Sequence, residues 1–221
     1  MAAKKKKKLN WDEGPQPSDR ARKQREAALA LLIKERRKLP SAELIKELHR
    51  VMFDGIAPDD EIGEFRDQDR VPEPLRGVNV RVGKILGASY ETVFDEVDDF
   101  IAEFRTGVKR FDVMWSQLGK TKTYYAIDQM IKLAAWAHGE WIRIHPFING
   151  NGRTARLWIN YVIVRYGFPP LPIRPRPDSP YSQAAAQSME HGDHNEMESV
   201  LYQLLAEAFQ ATIRRLLGVF P

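Results

Sequence analysis

Two apolar stretches with helical spacing, one from about Tyr124 to Ile144 and one from Leu157 to Val164, flank a run of twelve residues unlike either. That run is His145-Pro146-Phe147-Ile148-Asn149-Gly150-Asn151-Gly152-Arg153-Thr154-Ala155-Arg156. It packs a proton carrier, three consecutive turn-forming residues and two guanidinium groups between two helices that must share a core. The Gly-Asn-Gly turn feeds directly into the second helix, whose first backbone amides have no partner within the helix and face the loop. This constrains the fold to a helix, a tight anion-binding turn and a second helix, with a potential base at the entrance.

The rest of the chain reads as further helices with one exception. Ser18 or Asp19 is placed to cap a helix running to about Lys38, and Pro40-Ser41 ends it and caps a second carrying Leu44, Ile45, Leu48, Val51 and Met52. Charges and two prolines mark residues 67 to 77 as a loop. Val78-Asn79-Val80-Arg81-Val82 alternates like a short strand, and Gly83 and Gly87 permit a hairpin around it. Helical spacing returns from Glu91 to about Phe104. Gly167-Phe168-Pro169-Pro170 and five prolines from Pro170 to Pro180 give an extended connection to two last helices. The final one places Met197, Val200, Leu201, Leu204, Leu205, Ala208 and Phe209 on one broad face. The expected class is all-α with a small β-hairpin: a basic, disordered tail over 1–18, an N-terminal helix over 19–40 and a main domain over 41–218.

At 221 residues and 43% hydrophobic content, the chain is long enough to bury a substantial core without staples. It has no Cys, which excludes disulfides, thiolate metal sites and a thiol nucleophile, and fits a reducing compartment. No apolar run approaches membrane-spanning length and no signal peptide is visible, so a soluble cytoplasmic protein is expected. The net charge of +4 resides in Lys4 to Lys8: taking those five from 34 basic residues leaves 29 against 30 acidic ones. A neutral body with a lysine tail is a poor nucleic-acid binder, so nucleic acid is not expected as a partner.

Within the motif, a phosphate oxygen at the start of the second helix would meet backbone N–H groups and the positive end of the helix dipole. Gly150 and Gly152 allow close approach of the backbone, while Asn151 tolerates left-handed angles and brings an amide to the same pocket. Arg153 and Arg156 lie about one turn apart and can reach a polyphosphate from one face. His145 is neutral enough near pH 7 to take a proton from a hydroxyl. Phe147 reads as an apolar anchor for the loop.

The twelve residues resemble the signature of the Fic family, His-x-Phe-x-(Asp/Glu)-Gly-Asn-Gly-(Arg/Lys)-x-x-Arg, at every specified position except Asn149. Similarity extends upstream through Leu48-His49-Arg50-Val51-Met52-Phe53 and Gly63-Glu64-Phe65-Arg66, which look like that family's helix before its active-site flap. Val80-Arg81-Val82-Gly83-Lys84-Ile85 looks like the flap itself. The resemblance covers about residues 41 to 210 and implies a Fic-fold helical domain that transfers AMP from ATP to a Ser, Thr or Tyr hydroxyl of a target protein. It implies His145 as the base, Gly150, Asn151 and Gly152 around the α-phosphate, and Arg153 and Arg156 on the outer phosphates. The flap, with Val80, Arg81, Val82 and Gly83, would align a target segment by strand addition. Tyr181 is a candidate for the adenine pocket or, equally, for packing.

The family's carboxylate at position 149 binds Mg²⁺. Asn149 offers only a neutral oxygen, leaving slower transfer, another phosphorylated donor, or a nucleotide-binding regulator without turnover as alternatives. Fic proteins are often restrained by a Ser/Thr-x-x-x-Glu-Gly/Asn helix. Glu13-Gly14 supplies its end, but Leu9 and Pro15 depart from it, so a separate antitoxin-like inhibitor, as in toxin-antitoxin pairs, is the alternative. Gly119-Lys120-Thr121 lacks the rest of a P-loop, and His191 and His194 lack metal-site spacing. His49 and His138 read as hydrogen-bonded structural residues.

Overall fold

A computed structural model describes Trp11 and residues 18–67, 71–118 and 123–218. Lys4 to Lys8, Glu13-Gly14 and Gly119-Lys120-Thr121 lie outside the described residues. Among the described residues the fold comprises seven α-helices, one hairpin and a single 3-10 turn at Glu73–Leu75: α1 (Asp19–Glu35), α2 (Ala42–Phe53), β1 (Arg81–Val82), β2 (Ile85–Leu86), α3 (Val93–Gln117), α4 (Tyr124–Ile144), α5 (Asn151–Arg165), α6 (Pro180–His191) and α7 (Asn195–Leu216). No described helix is long and apolar enough to cross a membrane.

The helix starts follow their caps. Ser18, Ser41, Thr123 and Ser179 each accept the backbone N–H three residues on, satisfying a donor the first turn would leave unpaired. The first helix ends at Glu35, short of Lys38. α3 runs to Gln117, well past Phe104, because Val108 and Phe111 continue the buried stripe. The strand is only Arg81–Val82, and Gly83 at φ +59 makes the turn that pairs Val82 with Ile85. Residues 63–66 are not helical; they lie beyond the end of α2 in an extended connection.

α5 is the axis of the molecule. Twelve of its fifteen residues are buried, as expected for a helix enclosed on all sides. It packs on α4, which also contacts α3, α6 and α7, while α1 lies against α2 and α5. Between α3, α4 and α5, the rings of Phe100, Phe104, Trp136, Trp141, Trp158 and Tyr161 form a connected aromatic core. Truncating a fully buried Trp here would cost about 3–5 kcal/mol. At the far end of α5, Arg165 grips Asp112 of α3 through Nε at 3.0 Å and Nη2 at 2.6 Å, and its Nη1 donates to the carbonyls of Arg36 and Lys38. That fork fixes the C-terminal end of α5, so its N-terminus projects from a rigid base.

Two residues depart from the expected pattern. Trp11, assigned by sequence to the disordered tail, is 3% exposed and packs its ring on Phe53 at 5.0 Å and near His49 at 5.9 Å. Phe209, expected on the core face of the last helix, is 40% exposed because α7 runs past the body after Ala208.

Candidate active site

α4 stops at Ile144 because His145 takes a left-handed conformation, φ 54 and ψ 55, with its N–H still donating to Trp141 O at 3.0 Å. The ring then lies with Nδ1 2.7 Å from Ile142 O. A carbonyl can only accept, so Nδ1 carries the proton and Nε2 is left as the basic nitrogen. The residue is 8% exposed. Burial pulls its pKa down to about 4; the Ile142 bond opposes this, and the nearby Arg66 charge adds to it.

The loop between α4 and α5 is latched from behind. Phe147 N donates to Asn151 Oδ1 and Asn151 Nδ2 donates to Phe147 O, both at 2.8 Å, and Asn151 is 2% exposed. The amide expected in the phosphate pocket is therefore spent on holding the loop, which leaves only the backbone of Asn151 to meet an anion. Nor does Asn151 supply the left-handed angle: it is the first helical residue, and Gly150 at φ +81 makes the turn. A Cβ on Gly150 would also sit 2.5 Å from the Phe53 ring. Phe147 is the anchor its position suggested, fully buried and stacked 3.8 Å from the His49 ring. His49 accepts from Gly63 N at Nδ1, so its Nε2 carries the proton and donates to Asn149 O at 3.0 Å. It is a structural histidine, as is His138; burial takes each to a pKa of about 3.

The first acceptor used within α5 is Gly150 O, which receives both Arg153 N and Thr154 N. The amides of Asn151 and Gly152 come before those bonds, where a helix start presents donors to an anion. A Cβ on Gly152 would meet only Arg156 Nη1, at 3.6 Å, so close approach is open there and a guanidinium stands beside it.

The two arginines are held by different neighbours. Arg153 lies over the Phe53 ring at 4.1 Å and donates to Trp11 O at 3.2 Å. Arg156 carries its charge beside the Tyr181 hydroxyl, which meets His138 Nε2 at 2.7 Å. Tyr181 is 8% exposed, with its ring packed against the His138 ring.

The hairpin stands beside His145. Gly87 N donates to Val80 O at 3.0 Å, and Ala88 N to Ile144 O at 3.1 Å. Val82 and Leu86 are about half exposed, and among the described residues β1 pairs with β2 alone, leaving its outer edge unpaired. Sequence reasoning passed over Arg66 beyond noting its place in the family pattern. It is completely buried and joins the hairpin to the His145 loop. An isolated Arg after a Phe carries no signal of that role.

The residues present do not fit a protein-held Mg²⁺. Asn149 Oδ1 accepts the Gly150 N–H at 2.6 Å, carries no charge, and no group of three His, Asp or Glu side chains among the described residues is placed to hold a metal. His194 instead meets Ser188 Oγ and lies 3.7 Å from Glu140, while His191 is exposed.

Comparison with known proteins gives consistent relatives. The chain is 33% identical over 149 residues to protein adenylyltransferase fic-1 of Caenorhabditis elegans, covering 66% of this chain and 24% of that protein. Over 63 residues it is 46% identical to protein adenylyltransferase Fic of Nematostella vectensis, covering 28% of this chain and 14% of that protein. It thus spans about a quarter or less of these curated relatives. Among solved structures, a Fic-domain signalling protein from Bacteroides thetaiotaomicron superposes with a TM-score of 0.68 at 21% identity, covering 93% of this chain and 76% of the other. The BepC effector of Bartonella tribocorum, solved with bound AMPPNP, gives 0.59 at 15% identity over 86% and 87%. The sequence model of the Fic/DOC family matches residues 39–163, running from just before α2 through the flap and the latched turn into α5. With more than half of its length inside that match, the chain belongs to the Fic/DOC family.

Proposed function

We propose that the chain is a protein adenylyltransferase, transferring AMP from ATP to a hydroxyl of a target protein. The observation that carries this is the fixed tautomer of His145: its Nδ1–H is committed to Ile142, so Nε2 is left as the basic nitrogen a few residues before the start of α5. The amides of Asn151 and Gly152, with Arg156, would hold the donor's phosphates. The target hydroxyl loses its proton to Nε2 while its oxygen attacks the α-phosphorus. The bond to the bridging oxygen breaks and pyrophosphate leaves, giving a phosphodiester and an imidazolium that returns its proton to solvent. Negative phosphate beside His145 favours the imidazolium and raises its basicity from the low value of the free site. The adenylyltransferase names of the curated relatives and the AMPPNP in BepC support ATP as donor. A target segment would add to the outer edge of β1 at Arg81 and Val82. A divalent ion would arrive with the nucleotide, held by its phosphates. The absence of Cys and of a described membrane-crossing helix fits action in the cytoplasm.

The hold of Trp11 O on Arg153 favours a built-in restraint, since a guanidinium donating there is withheld from phosphate. This supports control from the N-terminal segment over control by a separate antitoxin-like protein. The second reading, a nucleotide-binding regulator with little transfer, draws on Asn149 alone. Intact-mass spectrometry after incubation with each nucleoside triphosphate and candidate targets tests both. A gain of one AMP that disappears with His145→Ala is expected, with a rate loss of about 10²–10⁴. Calorimetric ATP binding without any mass gain would refute transfer and leave the regulator.

A further inference from the structure

Arg66 is a completely buried guanidinium whose side-chain hydrogen bonds, among the described residues, all go to backbone carbonyls. Its Nε donates to His145 O at 2.9 Å, its Nη1 to Val78 O at 3.2 Å, and its Nη2 to Ala88 O at 2.5 Å and Ile144 O at 3.0 Å. Val78 precedes the hairpin and Ala88 follows it; Ile144 and His145 are the end of α4. A buried cation answered by carbonyls is an expensive way to fill space, and its geometry indicates what it does. Only a planar fork with five donors reaches carbonyls on both feet of the hairpin and on the base's own backbone. The same alignment recurs without the Arg66 side chain: Ala88 N meets Ile144 O, the Arg66 backbone N meets Pro146 O at 2.9 Å, and a Cβ on Gly87 would fall 2.6 Å from the His145 Cβ.

We propose that Arg66 is a positioning residue that locks both feet of the flap to the backbone of His145, so that a target strand seated on the flap is registered directly against the base. The inference rests on the adenylyltransferase reading, in which the flap seats the target and His145 takes its proton. Arg66 touches neither donor nor hydroxyl. It fixes the distance between the element that holds the target and the residue that activates it, which the nucleotide site on α5 does not do.

The separation of those two functions makes the idea testable. Arg66→Lys keeps the charge and loses the fork; Arg66→Gln loses both; Gly87→Ala drives a methyl chiefly against His145, with the unchanged Arg66 side chain 3.4 Å away. Hydrogen exchange of the Gly87 and Ala88 amides, nitrogen NMR of the His145 ring, ATP affinity by calorimetry and the transfer rate are measured on each. In Arg66→Lys, both amides are expected to exchange at least tenfold faster and the His145 ring to lose its fixed Nδ1–H tautomer. Transfer falls tenfold or more, while ATP affinity stays within twofold. Gly87→Ala is expected to reproduce the transfer loss with ATP affinity intact. Should both Arg66 variants fail to fold, Gly87→Ala decides alone: wild-type transfer in it overturns the proposal. Folded Arg66 variants with wild-type exchange and tautomer, or with ATP affinity falling in step with transfer, overturn it too. A wild-type chain that neither binds ATP nor transfers refutes the adenylyltransferase reading instead, and leaves the exchange and tautomer measurements to judge Arg66.

Discussion

Lowering the pH from 7 to 5 should remove a large part of this protein's stability, through three histidines that fold neutral. His49 and His138 are fully buried and His145 is 8% exposed; burial, as the first cause in each, takes them to about 3, 3 and 4. In the unfolded chain each titrates near 6.5, so below that value the unfolded state binds more protons than the folded one. Stability therefore rises with pH and is lost as pH falls through 6.5 toward the folded values. At pH 5 the penalty is about 2 kcal/mol per histidine, and it barely depends on the folded value once that lies at 4 or below. Three such groups give about 6 kcal/mol, of which only about 0.5 is already present at pH 7. Set against a typical domain stability of about 5–15 kcal/mol, that is a decisive fraction. Urea unfolding at half-unit pH intervals measures it, with a limiting slope of about 4 kcal/mol per pH unit. His138→Phe should lower stability by a constant from the orphaned Tyr181 hydroxyl, yet shrink the loss between pH 7 and 5 by about a third. A loss below about 2 kcal/mol over that interval, or an NMR midpoint near 6 for any of the three rings, refutes the reasoning.

Three other perturbations follow from the site. Gly150→Ala forces a side chain into φ +81 and against Phe53, and should cost about 2–3 kcal/mol in thermal or urea unfolding; a loss under about 0.5 would show that the turn relaxes freely. Asn149→Asp keeps the oxygen that caps Gly150 N–H and adds a charge, so ATP affinity should become several-fold more sensitive to Mg²⁺ against EDTA; equal sensitivity in both proteins would place residue 149 away from any bound ion. Trp11→Ala loosens the segment whose carbonyl holds Arg153 and should tighten ATP binding several-fold in calorimetry, despite lost core packing; unchanged or weaker binding would remove the restraint.

The fold was legible wherever a periodic stripe had a capping residue in front of it. Ser41 marks the start of α2, and α4 has the bounds its apolar spacing predicts. α3 was read short because its polar second half and Gly107 dilute the stripe that Val108 and Phe111 maintain. At the site, residue types announced themselves but their partners did not. Asn151 looks like a pocket amide until the chain folds and its side chain closes on Phe147 four residues back. Arg66 contacts residues 12 to 79 positions away, and Trp11 reaches Arg153 across 142, contacts that local spacing cannot encode.

His145 occupies a backbone conformation that, for a residue with a Cβ, costs about 1 kcal/mol or more, and glycine would adopt it freely. It also carries part of the acid penalty described above. The residue proposed as the base is thus one whose backbone and protonation both cost the fold stability. Under the proposed reaction, a glycine at this position should give a chain that transfers nothing and is at least as resistant to acid as its parent, so durability and that chemistry are set in opposition at a single residue.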